Sequence, residues 1–187
     1  MKFTSKTALV LIDIQKGFDD LEYWGGNRNN PDAEEKAKKL LDLWRSKGWP
    51  IFHVKHNSTT PGSLLEPSHP GNELQEATKP IKGEPLFEKN VNSAFIGTNL
   101  KEQLDASGIK TVAIAGLTTD HCISTSVRMS GNLGFETYLV SDATATFDKV
   151  GADGKKYPAE LIHETALASL HGEFATVLTT QQVMELI

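Results

Sequence analysis

The sequence predicts an α/β fold of three layers, α/β/α, around a mostly parallel central sheet of about six strands. Three observations predict it. Short apolar runs alternate with longer amphipathic stretches along the chain. Several of the runs are continuous rather than alternating, as suits strands buried on both faces. Glycine and proline stand at most of the junctions. The 187 residues fit one domain spanning 1–187, and a chain of this size buries enough surface to need no staple.

The elements follow in order. Residues 8–12 (Ala-Leu-Val-Leu-Ile) form the first buried strand, which ends at Asp13. A helix opens at Pro31-Asp32 and runs to Lys47, with Ala33, Ala37, Leu40, Leu41 and Trp44 at helical spacing and Gly48 as its stop. Residues 51–54 form the second strand. Residues 57–83 hold so many prolines and glycines that they read as a long irregular loop, and such loops in compact domains are usually functional. Residues 86–88 are a short strand leading to Lys89. A short helix over 100–107 closes at Gly108, and 111–115 form a buried strand ending at Gly116. A helix is expected over 120–132, a strand over 135–140, and a helix over 158–171 with Leu161, Thr165 and Ala168 inward and Leu167 a further candidate. A strand over 174–178 and a helix over 181–187 complete the chain.

Composition excludes several function classes. The formal net charge is -5 and no Lys/Arg stripe appears, which argues against a nucleic-acid partner. No run of about 18 apolar residues exists to span a membrane, and the opening residues carry no apolar leader. A lone cysteine, Cys122, cannot form an internal disulfide. The expectation is a cytoplasmic protein acting on a small molecule, without membrane or nucleic-acid partners.

Open parallel sheets hold their sites outside the carboxyl ends of the strands. Asp13, Lys89, Cys122 and Asp142 all fall on that edge. Cys122 follows a strand and enters the first turn of a helix, where unpaired N–H groups and the helix dipole favour a thiolate or an oxyanion. A neighbouring carboxylate could take the thiol proton, and a neighbouring ammonium could stabilise the thiolate. The bland alternatives are an inert buried cysteine, a capping aspartate and a solvated lysine. Phe18, Tyr23 and Trp24 follow Asp13 closely and are either core or pocket wall. His121 diverges from Cys122 by about 100° on a helix and faces elsewhere. His163 and His171 read as surface or packing residues. No Gly-x-Gly-x-x-Gly follows the first strand, so a nicotinamide dinucleotide is not expected.

Taken together, residues 8–15 (Ala-Leu-Val-Leu-Ile-Asp-Ile-Gln), Glu88-Lys89-Asn90, residues 115–122 (Ala-Gly-Leu-Thr-Thr-Asp-His-Cys) and Ser141-Asp142-Ala143-Thr144-Ala145-Thr146 resemble the isochorismatase-like cysteine hydrolases, which include nicotinamidases and related amidases. The resemblance runs over almost the whole chain. It implies a Rossmann-like fold, with Asp13 as proton acceptor, Lys89 as thiolate stabiliser and Cys122 as nucleophile. It also implies a cis peptide at Leu117–Thr118, with the N–H groups of Thr118 and Cys122 as oxyanion donors. It further implies a homo-oligomer, dimer or tetramer. The sequence departs from nicotinamidases by lacking their Asp-x-His metal motif: His53-Val54-Lys55-His56 stands there instead. On a strand through His56, His53 and His56 point to opposite faces, which is poor for sharing a metal unless a kink or a third ligand from His69 rescues it. No metal and no cofactor are therefore expected. The expected activity is hydrolysis of an amide or ureide C–N bond through a cysteine acyl-enzyme. The alternatives are vinyl ether hydrolysis of isochorismate and a non-catalytic thiol sensor or binding protein.

Overall fold

A computed structural model describes residues 2–187. Its six-stranded sheet has the order β3-β2-β1-β4-β5-β8. The strands are β1 (Thr7–Ile12), β2 (Ile51–His56), β3 (Leu86–Lys89), β4 (Thr111–Leu117), β5 (Glu136–Ala145) and β8 (Thr176–Leu178), and every pairing among them is parallel. A separate antiparallel hairpin joins β6 (Lys149–Val150) to β7 (Lys156–Tyr157). No helix among the described residues is long and apolar enough to cross a membrane.

Strand parity builds the three layers. In β1, Ala8, Val10 and Ile12 face one side, where they meet Leu100 and Leu104 of α3 (Leu100–Ala106), Val127 of α4 (Ser124–Asn132) and Leu170 of α5 (Ala159–Leu170). Leu9 and Leu11 face the other side, against Leu40, Leu41 and Trp44 of α2 (Ala33–Lys47) and Val183 of α6 (Thr180–Glu185). All six residues of β1 are buried, which explains their unbroken apolar run. Gly48 ends α2 at φ +63°, the left-handed cap that glycine adopts without a steric penalty.

Three local expectations are corrected. On α5 the buried residues are Ala159, His163 and Leu170, whereas Leu161, Thr165 and Ala168 lie exposed. The helix is turned by a polar contact, because His163 Nδ1 meets Thr119 Oγ1 at 2.8 Å. Next, β5 continues past residue 140 to Ala145 after a register shift between Ile114 and Gly116 of β4. Asp142 is consequently drawn away from the site to α6, where it accepts from Thr180 N at 2.6 Å and Thr180 Oγ1 at 2.8 Å. Finally, the helix expected over 120–132 begins as a π-turn over Thr119–Ile123 before α4 starts.

Candidate active site

The site lies beyond the carboxyl ends of β1, β3 and β4. Gly116 sets how closely β1 and β4 approach: at φ +133°, a Cβ there would stand 1.9 Å from the Ile12 carbonyl oxygen. Only glycine lets the two strand ends run this near to each other. Asp13, the next residue of β1, takes φ +54°, a left-handed conformation that aspartate tolerates better than most residues. Its N–H is held by the Val54 carbonyl at 2.9 Å.

The structure brings Asp13, Lys89 and Cys122 together. Lys89, at the end of β3, donates to Asp13 Oδ2 at 2.6 Å and to Cys122 Sγ at 3.4 Å. Both side chains of the Asp13–Lys89 pair are fully buried. The other carboxylate oxygen, Asp13 Oδ1, is buried and has no hydrogen-bond partner among the described residues. The Cys122 thiol also faces Asn92 Oδ1 at 3.9 Å.

The electrostatics differ from a simple helix-terminus thiolate. Burial pushes the Cys122 thiol up, and the Asp13 charge pushes it further, against the opposing pull of Lys89. Burial likewise raises the Asp13 carboxyl, although Lys89 works against it. At rest the protonated thiol therefore stands against the buried Asp13–Lys89 contact. Proton transfer from sulfur to Asp13 costs little charge separation here, since the negative charge only moves from one neighbour of the ammonium to another.

His56 is a site residue that sequence reasoning did not place. It ends β2, and its Nδ1 lies 3.2 Å from Lys89 Nζ. Burial and the Lys89 charge lower its pKa. A neutral ring can accept from the ammonium, and the ammonium then spends its three protons on Asp13, His56 and Cys122. Gln15 holds His56 in position: Oε1 accepts from His56 N at 2.9 Å and Nε2 donates to His56 O at 2.9 Å. The signal was present in the sequence, since a polar Gln15 sits directly after an apolar strand, but its partner lies 41 residues away.

The histidines considered for a metal do not converge. His53 is on the opposite face of β2, with Nε2 2.8 Å from Glu84 Oε2. Burial opposes the Glu84 charge, yet Arg45, the Ile81 N–H and His53 hold that carboxyl down at about 2. His69 Nδ1 accepts from Gly71 N at 2.9 Å. Ligand-type atoms of Asp13, His56 and Cys122 do lie within 4.8 Å of one another. The Lys89 ammonium stands among them, so a metal ion at that point would have to displace it.

A cavity of about 260 Å³ opens over Cys122. Phe18, Tyr23 and Trp24 all line it, with Leu65 beside them. Trp24 is fixed by Nε1 donating to the Gly17 carbonyl at 2.7 Å, and its ring meets those of Phe18 and Tyr23 at 4.8 and 4.9 Å. The long loop adds Ser58, Thr60 and Ser63 to the lining. Asn72 ties that loop down, donating to the carbonyls of His56 at 3.0 Å and Leu65 at 2.7 Å. His121 lines the cavity as well, contrary to expectation, because the chain is a π-turn here and not an α-helix.

The Leu117–Thr118 peptide is cis. Thr118 and Cys122 both border the cavity. The Thr118 carbonyl accepts from His121 N and Ile123 N, each at 3.2 Å, and its buried Oγ1 has no partner among the described residues.

A buried Asp–Lys–Cys cluster thus stands at the carboxyl edge of a parallel sheet, with Cys122 lining a cavity. Comparison with known proteins specifies the family: the isochorismatase-domain profile matches residues 7–182, and the chain belongs to that family of hydrolases. It is 51% identical over 179 residues to the uncharacterized isochorismatase family protein YrdC of Bacillus subtilis, covering 96% of this chain and 95% of that one. A crystal structure of an isochorismatase-family protein from Chromobacterium violaceum superposes with a TM-score of 0.94 at 38% identity, covering 100% of this chain and 96% of that one. The maleamate amidohydrolase of Pseudomonas putida is 28% identical over 200 residues, covering 98% of this chain and 87% of its own.

Proposed function

We propose that the protein hydrolyses the C–N bond of a small amide or ureide through a thioester on Cys122. One observation carries this reading. Lys89 bonds Asp13 Oδ2 and Cys122 Sγ together, so carboxylate, ammonium and thiol lie within reach of one another and Cys122 lines a cavity. A relative named an amidohydrolase supports the same chemistry.

As sulfur attacks the carbonyl carbon, Asp13 takes the thiol proton. The oxyanion rests on the N–H groups of Thr118 and Cys122. Asp13 returns the proton to nitrogen, the C–N bond breaks, and ammonia or an amine leaves a thioester. Water then attacks the thioester while Asp13 takes one of its protons. Collapse releases the acid and restores the thiol. Lys89 compensates negative charge throughout and transfers no proton.

A screen of small amides and ureides for ammonia or amine release tests this. The wild type should turn over at least one member, and Cys122→Ala should release none above background. Full turnover by Cys122→Ala would refute the nucleophile.

A further inference from the structure

We propose that the site selects uncharged substrates: a small amide with both apolar and hydrogen-bonding parts, with carboxylate-bearing amides excluded. This inference rests on the amidase reading and narrows its substrate class.

The cavity wall is the first observation. Among the described residues, no lysine, arginine, aspartate or glutamate lines it. Its apolar lining is Phe18, Tyr23, Trp24 and Leu65. Its polar lining includes Ser58, Thr60, Ser63 and Asn92, whose hydroxyls and amide satisfy neutral polar atoms.

The nearest cations are already engaged. The Lys89 side chain has no exposed surface, and its donors point at Asp13, His56 and Cys122. Its charge is offset by Asp13, so the cluster presents no net positive field to an entering anion. His56 and His121 both border the cavity, and burial lowers the pKa of each, which leaves them uncharged at neutral pH. Lys149 lies 3.6 Å from the Asp120 carboxylate. Behind the aromatic wall, Arg28 sits over Phe147 and pairs with Glu34 at 2.6 Å. A carboxylate entering this cavity would shed water and meet no counter-ion, which is costly. Maleamate carries one carboxylate and isochorismate two, so both are disfavoured by the same wall.

Because Cys122 is the chain's only cysteine, its alkylation reads the cavity directly. Iodoacetamide is a small neutral amide, and iodoacetate is its anionic counterpart. Labelling rates on folded protein at pH 7, followed by intact mass, are each divided by the rate on the same protein unfolded in guanidinium. The normalised rates should favour iodoacetamide by about 10-fold or more, given an unpaired-charge penalty of that order. Thr60→Lys places an ammonium on an exposed stretch of the wall and should shrink that preference. Equal rates, a preference for iodoacetate, or a folded protein inert to both reagents would overturn the inference. The two readings fail separately. Selective labelling without ammonia release from any amide removes the amidase reading alone. Ammonia release from carboxylated amides as fast as from neutral ones removes the charge selection alone.

Discussion

Replacing Lys89 by Met removes one half of an ion pair whose two side chains are both fully buried. The Asp13 carboxylate then loses its only partner on Oδ2, while Oδ1 already has none among the described residues. Breaking a buried pair this way costs about 3–5 kcal/mol, because a desolvated charge is left behind. For a protein of this length each kcal/mol lowers Tm by about 2–4 °C, so the variant should melt roughly 6–20 °C lower at neutral pH. The loss should depend on pH with a definite sign. Burial already raises the Asp13 carboxyl in the wild type, and without Lys89 it rises further. A raised carboxyl favours the fold below its unfolded value of about 3.9, and that contribution disappears as pH climbs through the folded value. Urea denaturation at several pH values should therefore show Lys89→Met closest to wild type in acid and furthest from it at neutrality. Asp13→Asn combined with Lys89→Met leaves no buried charge and should recover much of the loss. A single-variant cost below about 1 kcal/mol that does not vary with pH would refute the reasoning, since such a cost is typical of a solvated surface pair.

Other outcomes follow from the same geometry. His56→Asn retains an acceptor for Lys89, whereas His56→Ala does not. Protonation of His56 puts a second cation beside Lys89 and Asp13, so wild-type activity should fall as pH drops below the ordinary imidazole range. A pH–rate profile of His56→Asn should lack that step, and His56→Ala should lose rate at every pH. Gln15→Leu strands the His56 N–H, whereas the His56 carbonyl keeps its bond from Asn72, and should cost about 1–3 kcal/mol in urea denaturation, with activity lost as β2 loosens. Gly116→Ala drives a Cβ into the Ile12 carbonyl and should cost about 4 kcal/mol or more, seen as a large drop in Tm or as insoluble protein. His56 and His163 are both lowered by burial, so their contribution to stability is complete above about pH 6.5 and is lost as pH falls through their folded values.

The layers were legible because burial writes itself into the sequence. Strand stretches such as 8–12 and 112–115 are covered by helices on both faces and so carry apolar residues at every position. Asp13, Lys89 and Cys122 were legible because a parallel sheet sends its strand ends to one edge. What escaped was set by polar contacts between distant residues. His163 faces inward for Thr119, Asp142 turns to cap α6, and His56 is fixed by Gln15. Periodicity registers apolar faces and is blind to such pairs. The π-turn at Thr119–Ile123 escaped for a related reason: it uses ordinary helix-compatible residues, and only its five-residue hydrogen bonding reveals it. That turn is also what brings His121 to the cavity.

The central claim is that Cys122 carries the acyl group of a substrate during turnover. Rapid acid quench of the protein with a hydrolysed amide, followed by peptide mass mapping, measures this directly. An added acyl mass should appear on the Cys122 peptide and decay by hydrolysis, and hydroxylamine should capture it as a hydroxamate. Turnover at an undiminished rate by Cys122→Ala, with no acyl mass on the wild-type peptide at any quench time, would contradict it.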